Sequence, residues 1–247
     1  MLNLKNLKKE SPETLPLRER REFLRMGLMV TGVLAGGSLL SLVSNARSSF
    51  ASAGEFLKQY PYKPHYSMVM RQNLCIDCER CLSACRETNN VPSYGSRTSI
   101  LEKHVPTAVG QKTEFIPVLC MQCNDPPCVR ACPTWASYKD KTNGIVRIDN
   151  KKCIGCKVCM VACPYNARYF SEEKHAIDKC NFCYDTRLEK GEKLTACSNA
   201  CPTGARTFGD ISDPESKVYR LVHQLERAVW VLRGEAGTKP NVFYMKA

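Results

Sequence analysis

Sixteen cysteines stand in four groups of one repeated design, and no other feature of this 247-residue chain restricts its fold as strongly. Group one is Cys75-x2-Cys78-x2-Cys81-x3-Cys85, and group three is Cys153-x2-Cys156-x2-Cys159-x3-Cys163 followed by Pro164. Group two, Cys120-x2-Cys123-x4-Cys128-x3-Cys132, lengthens one gap by two residues. Group four, Cys180-x2-Cys183-x13-Cys197-x3-Cys201, opens the same gap much wider, and no cysteine is left over. Three thiolates on one tight loop can each reach a different iron of a cubane, while the fourth sits on the next turn and points elsewhere. In runs of the form C-x2-C-x2-C-x3-C-P that fourth cysteine ligates the other cluster of a pair. Four such groups imply four 4Fe-4S clusters in two pairs, with the metal holding the thiols deprotonated and folding dependent on cluster insertion.

Zinc suits the pattern less well, because it calls for two separated CxxC pairs or for histidine partners, and the chain has only 4 His. Disulfides need Cα atoms paired at about 4.4 to 6.8 Å, with nothing to select four near-identical loops. Phosphate loops, dinucleotide fingerprints, HExxH and CxxCH are all missing, so nucleotide, zinc-protease and covalent c-type haem chemistry lack their local signals.

Ahead of the cysteines the chain is polar and charged up to Arg25, runs without charge from Met26 to Val43, and turns small and polar again. That is the three-part layout of a signal peptide over residues 1–53, with Ala51-Ser52-Ala53 as the cleavage site. Glu19-Arg20-Arg21-Glu22-Phe23-Leu24-Arg25 resembles the twin-arginine export motif, whose route serves proteins exported already folded and with cofactors inserted. Periplasmic location and reduced thiolates are then compatible. The alternative for 26–43 is an uncleaved membrane anchor, which its glycines and serines weaken.

A net charge of +12 first suggests nucleic acid. The leader holds eight basic and four acidic side chains, which leaves +8 on the remainder. Four oxidised cubanes, each carrying about −2 with its thiolates, bring roughly −8. The basic excess reads as cluster compensation, and no nucleic-acid partner is expected.

From Ser67 to Ala247 the chain resembles the four-cluster iron-sulfur subunits of dimethyl-sulfoxide-reductase-type molybdoenzymes. The closest in pattern are those of tetrathionate, polysulfide and thiosulfate reductases and the iron-sulfur protein of formate-dependent nitrite reduction. The resemblance is carried by Cys75-Ile76-Asp77-Cys78, Cys85-Arg86-Glu87-Thr88-Asn89, Cys120-Met121-Gln122-Cys123-Asn124, Cys159-Met160-Val161-Ala162-Cys163-Pro164-Tyr165, Asp178-Lys179-Cys180 and Phe208-Gly209-Asp210. It implies that group one pairs with group four and group two with group three, each pair exchanging its fourth cysteine. By position, cluster 1 takes Cys75, Cys78, Cys81 and Cys201, and cluster 2 takes Cys180, Cys183, Cys197 and Cys85. Cluster 3 takes Cys120, Cys123, Cys128 and Cys163, and cluster 4 takes Cys153, Cys156, Cys159 and Cys132. One departure is Arg86 where a proline would follow the fourth cysteine, which leaves that turn less constrained.

The expected fold is α+β, with two ferredoxin-like double-cluster units of small strands and short helices. Residues 54–110 and 175–247 form the outer unit and 111–174 the inner one. The ligand-free interval 91–119, broken by Pro92, Gly95, Pro106, Gly110 and Pro117, reads as an inserted loop or hairpin, either a docking surface or plain surface variation. Gly144 to Asp149 and Thr207-Phe208-Gly209 read as short strands. Ser212 to Glu215 reads as a helix start, with Val218, Leu221, Val222 and Leu225 on one face and an end near Arg227. A hairpin of 228–232 with 241–244, or one longer helix, completes the chain. Trp135, Tyr165 and Phe182 are expected to shield clusters from water.

The function expected is electron transfer rather than catalysis: single electrons pass from a membrane quinol-oxidising subunit to a catalytic subunit, and the chain reaches the inner membrane through a partner. By resemblance that catalytic subunit is a molybdopterin sulfur-compound reductase. A multihaem cytochrome nitrite or sulfite reductase, or a freestanding carrier role, are the alternatives.

Overall fold

The computed structural model of the protein describes residues 60–108, 110–223 and 226–246. The leader over 1–53, its twin arginines and the Met26 to Val43 run lie outside the described residues. Among the described residues no helix is long and apolar enough to cross a membrane.

The centre of the fold is β1 (Tyr66–Arg71), whose run Met68-Val69-Met70 shows no polar alternation and is fully buried on both faces. It lies between β8 (Arg206–Asp210), antiparallel, and β10 (Val242–Met245), parallel; β9 (Val229–Trp230) closes the edge beside β10. Met68 stands opposite both Phe208 and Val242, so the two ends of the described chain are held in one sheet. Against that sheet, whose Tyr244 is fully buried, Met121, Ile145 and Phe182 join the Cys81, Cys120, Cys123, Cys180 and Cys197 side chains in one core. The core is thus built from apolar side chains and thiols together.

Three antiparallel hairpins complete the strands: β2 (Thr98–Thr107) with β3 (Gly110–Leu119), β4 (Ser137–Lys139) with β5 (Val146–Ile148), and β6 (Tyr169–Ser171) with β7 (Ala176–Asp178). The first resolves the interval 91–119 as a hairpin; its base packs Ile100, Ile116 and Leu119 on the core, while Leu101 to His104 are exposed. β5 and β8 are the two strands read from the sequence. The helices are short: α1 (Arg80–Asn89), α2 (Pro127–Arg130), α3 (Val158–Val161), α4 (Ala196–Asn199) and α5 (Lys217–Val222). Mixed small strands and few helices make this an α+β fold.

At the C-terminus the helix starts later and stops earlier than expected. Asp210 Oδ1 accepts from the Ser212 amide and hydroxyl, and Asp213 Oδ1 from the Glu215 amide, so local turns occupy 212–215. Ser216 then caps α5 by accepting from the Tyr219 amide at 3.0 Å. The helix ends at Val222 rather than near Arg227. Beyond it lies the hairpin, β9 paired with β10, rather than one longer helix.

Candidate metal centres

Each cysteine group folds by the same local device. The residue two after the first cysteine is left-handed in all four: Asp77 (φ 53°), Gln122 (φ 49°), Gly155 (φ 66°) and Phe182 (φ 55°). A positive φ there turns the loop back on itself and brings the first two thiols to one side. The third cysteine is then the second residue of a helix in every group, Cys81 in α1, Cys128 in α2, Cys159 in α3 and Cys197 in α4. Helices α2, α3 and α4 end just before the fourth cysteine, where Pro133, Pro164 and Pro202 cannot continue them. Group one has Arg86 at that place, so α1 runs on to Asn89 with Cys85 inside it. The extra turn carries Asn89, which donates to Cys85 Sγ at 3.7 Å and to Cys183 Sγ at 3.4 Å.

Helix α1 packs on α4, and α2 packs on α3, so groups one and four come together, as do groups two and three. Cys81 lies in the field of Cys75, Cys201 and Cys197, and Cys85 in that of Cys183 and Cys197. Cys123 neighbours Cys120, Cys128 and Cys163, while Cys159 neighbours Cys153 and Cys132. Cys180, next to Cys85, Cys183 and Cys197, also faces Cys120, which joins the two halves. Cys78 of group one and Cys156 of group three are the exposed members. All sixteen cysteines are free, so no disulfide framework exists. Among the described residues no three His, Cys, Asp or Glu side chains converge on one point as a single zinc ion needs; a cubane takes each thiolate on a different iron.

Burial pushes Cys85 and Cys123 up to about 12, with neighbouring thiols adding to it, and also raises Cys180 well above its ordinary value. Iron must therefore supply the free energy that removes these protons. Cys132 and Cys201 go the other way, because hydrogen bonds outweigh burial: from Ser137 N and Thr134 in one case, from Thr203 and Arg206 N in the other.

Buried cations surround the thiols, a placement that the net charge of the sequence does not reveal. Arg206 is 3% exposed, and its Nη1 and Nη2 have no hydrogen-bond partner; Arg168 is 4% exposed, and its Nε and Nη1 have none. Arg168 Nη2 donates to Cys128 Sγ at 2.8 Å and to Ser137 Oγ at 2.9 Å. Lys139 Nζ donates to the Cys123 and Gly144 carbonyls at 2.8 and 2.6 Å, and burial brings its pKa down to about 8. Arg97 grips Asp178 through Nη2 at 2.8 Å and donates to Asn89 Oδ1 at 3.0 Å, backing the Asn89 contacts with sulfur. Buried donors left without acceptors, in a setting of thiols, suit an anionic sulfide-rich group.

Of the three aromatic residues expected as shields, Phe182 is fully buried against Phe208, with centroids 5.2 Å apart, and Tyr165 is half-buried with its hydroxyl on Thr238. Trp135 does not shield anything: it is 72% exposed. It occupies the left-handed position three after a fourth cysteine (φ 57°), the place of Asn166 (φ 48°) and Gly204 (φ 63°) in groups three and four. Each amide there closes a turn onto the cysteine carbonyl, which aims the side chain outward.

Comparison with known proteins agrees with this chemistry. Residues 111–211 match the 4Fe-4S dicluster domain family and residues 72–91 the 4Fe-4S binding domain family. Tetrathionate reductase of Salmonella typhimurium has a subunit, lettered B, that is 39% identical over 228 residues, covering 92% of this chain and 87% of that protein. The polypeptide lettered B in polysulfide reductase of Wolinella succinogenes is 41% identical over 181 residues, 72% of this chain and 92% of its own length. Protein NrfC of Escherichia coli is 40% identical over 179 residues, 72% of this chain and 79% of its own. Thiol loops, buried cations and these likenesses over most of both chains together make this protein a member of the 4Fe-4S electron-transfer subunit family that includes NrfC and the tetrathionate and polysulfide reductase polypeptides just named, subunits that serve a catalytic partner and are not themselves the catalytic chain.

Proposed function

We propose that this chain is the periplasmic subunit that passes single electrons through four 4Fe-4S clusters between a membrane quinol-oxidising subunit and a molybdopterin reductase acting on a sulfur compound. The observation that carries this is the ordering of exposure along the thiol series. Cys78 of group one and Cys156 of group three are exposed, whereas Cys81, Cys85, Cys120, Cys123, Cys128, Cys159, Cys180, Cys183 and Cys197 are buried, and groups two and four have no exposed member. Two accessible ends with a buried middle suit a wire between two partners. When bound, each cluster supplies one-electron redox chemistry at a potential set by hydrogen bonds, net charge and exposure.

In this reading the sixteen cysteines divide as cluster 1 (Cys75, Cys78, Cys81, Cys201), cluster 2 (Cys180, Cys183, Cys197, Cys85), cluster 3 (Cys120, Cys123, Cys128, Cys163) and cluster 4 (Cys153, Cys156, Cys159, Cys132). The α1–α4 and α2–α3 packing supports the division, with 54–110 and 175–247 forming an outer unit and 111–174 an inner one. Around them Asn89 and Arg168 donate to sulfur, Arg97 backs Asn89, and the charge of Arg206 acts on Cys197 and Cys81, while Phe182 and Met121 exclude water. Sulfur compounds in the names of two relatives favour the sulfur-compound partner.

Anaerobic iron and sulfide analysis should find about 16 iron atoms per chain. Cys85→Ser should disturb the group-four cluster more than that of its own group, and spectroscopic loss confined to the group-one cluster would contradict the crossed ligation. Molybdenum with a large pterin-binding chain in the complex isolated from native membranes identifies the partner; abundant covalent haem without that metal shifts the acceptor to a cytochrome nitrite or sulfite reductase. Export folded by the twin-arginine route predicts that replacing Arg20 and Arg21 together by lysine leaves cluster-loaded protein in the cytoplasm, which fractionation detects.

A further inference from the structure

The two arginines with orphaned donors occupy equivalent places in the repeat. Cys163-Pro-Tyr-Asn-Ala-Arg168 and Cys201-Pro-Thr-Gly-Ala-Arg206 each put Arg five residues after a fourth cysteine. Arg168 leads into β6 and Arg206 opens β8. The corresponding residues of the partner groups are Ser137, which receives Arg168 at 2.9 Å, and Asn90, so each pair of groups has one such arginine.

Each guanidinium lies between two sets of ligands. Arg168 donates to Cys128 on one side, and its charge acts on Cys159 on the other. Arg206 acts on Cys197 and on Cys81. Both are almost wholly buried, and neither is paired with a carboxylate in any ion pair among the described residues. A buried charge with unmatched N–H groups is costly unless an anion faces it, and among the described residues the groups acting on both guanidiniums are cysteine thiols on two sides.

We propose that Arg168 and Arg206 are each a single fixed cation shared by the two clusters of one pair, raising the reduction potential of both members together. The proposal rests on the four-cluster grouping above. A shared cation favours the extra negative charge of reduction at either neighbour, and hydrogen bonds to sulfur act in the same direction. Potentials are thereby set pair by pair: Arg206 for clusters 1 and 2, Arg168 for clusters 3 and 4.

The test is redox potentiometry followed by electron paramagnetic resonance on the anaerobically purified complex, with iron content measured on every sample. Arg168→Met should lower two of the four potentials by at least a tenfold change in the reduction equilibrium, about 59 mV for one electron. The other two should stay in place, and Arg206→Met should do the converse. Arg168→Lys and Arg206→Lys, which keep the charge, should recover most of each shift. Full iron content with unmoved potentials, or a shift confined to one cluster, overturns the proposal while leaving four clusters intact. Loss of iron in both the Met and the Lys variants also overturns it, since the residue then retains clusters rather than tuning them. Fewer than four clusters in the unaltered protein removes the grouping itself.

Discussion

His65 shows how the fold treats an ionisable side chain that has no part in holding iron. It is fully buried; its Nε2 donates to Asn241 Oδ1 at 3.0 Å, because the Asn241 amide nitrogen is spent on Gln122 O and Asn124 Oδ1, while Nδ1 has no partner. Burial first, opposed by the Asn241 bond and helped by the charge of Lys139, lowers its pKa from 6.5 to about 4, with Asp210 pulling the other way. The unfolded chain therefore takes up the proton more readily between those values. The associated stability is complete above about pH 6.5 and is lost as pH falls toward 4, about 3 kcal/mol in all. Anaerobic melts at about pH 7.5 and about pH 5.5 should show a larger loss for the natural protein than for His65→Gln, which cannot take up the proton. Equal losses would contradict the assignment. Nothing around position 65 in the sequence announces this burial, since its partners Asn241 and Asp210 lie 176 and 145 residues away.

Among elements, the junction of α1, β7 and the base of the β2–β3 hairpin depends on the Asp178 carboxylate, paired with Arg97 and with Lys174. Arg97 and Asp178 have side chains only 8% and 10% exposed, and Lys174 and Tyr169 also reach Asp178 at 2.8 Å. The carboxylate is held below its usual range, burial being outweighed by Arg97, Lys174 and Tyr169. Removing Arg97 takes the main partner from a buried carboxylate that Lys174 and Tyr169 still reach, so the cost falls below the about 3–5 kcal/mol of a buried charge left wholly unpaired. Arg97→Met should therefore drop the temperature of cluster loss by several degrees and speed exchange of the hairpin-base amides, whereas exchange in β9 should hardly change. The hairpin itself is legible as an insertion because ligands stop at Cys85 and resume at Cys120. The C-terminal helix differs from its sequence-based expectation by four or five residues at each end; at its start Asp210 and Asp213 close turns that compete with helix, a contest that hydrophobic spacing does not report.

Over the molecule entire, the two exposed ends differ in their surroundings. Beside Cys156 stands Ile154 (67% exposed), with Val158 (45%) and Val161 (89%) on the helix that follows it; beside Cys78 stands Ile76 (60%). Apolar collars of this kind are where a redox partner can exclude water from a short electron path. Val161→Asp should slow electron exchange at one end, and Ile76→Asp at the other, each by about tenfold or more for a contact worth about 1–3 kcal/mol, with all cluster potentials unchanged. Steady-state quinol-to-acceptor turnover, compared with turnover from an artificial donor, separates the ends; equal effects of either variant in both assays would refute distinct docking sites. The chemistry of the protein is written in its sequence: thiol spacing, the prolines that stop three helices and the repeated Cys-Pro-x-x-Ala-Arg are local, so they survive in a string of letters. Spacing alone leaves open which group faces which, a pairing that at the level of sequence only the resemblance implies. The packing of α1 on α4 and α2 on α3, the burial of Arg168 and Arg206 among thiols of two groups, and the outward turn of Trp135 all emerge only once distant segments meet. A residue's field and exposure are set by those neighbours rather than by its position in the chain.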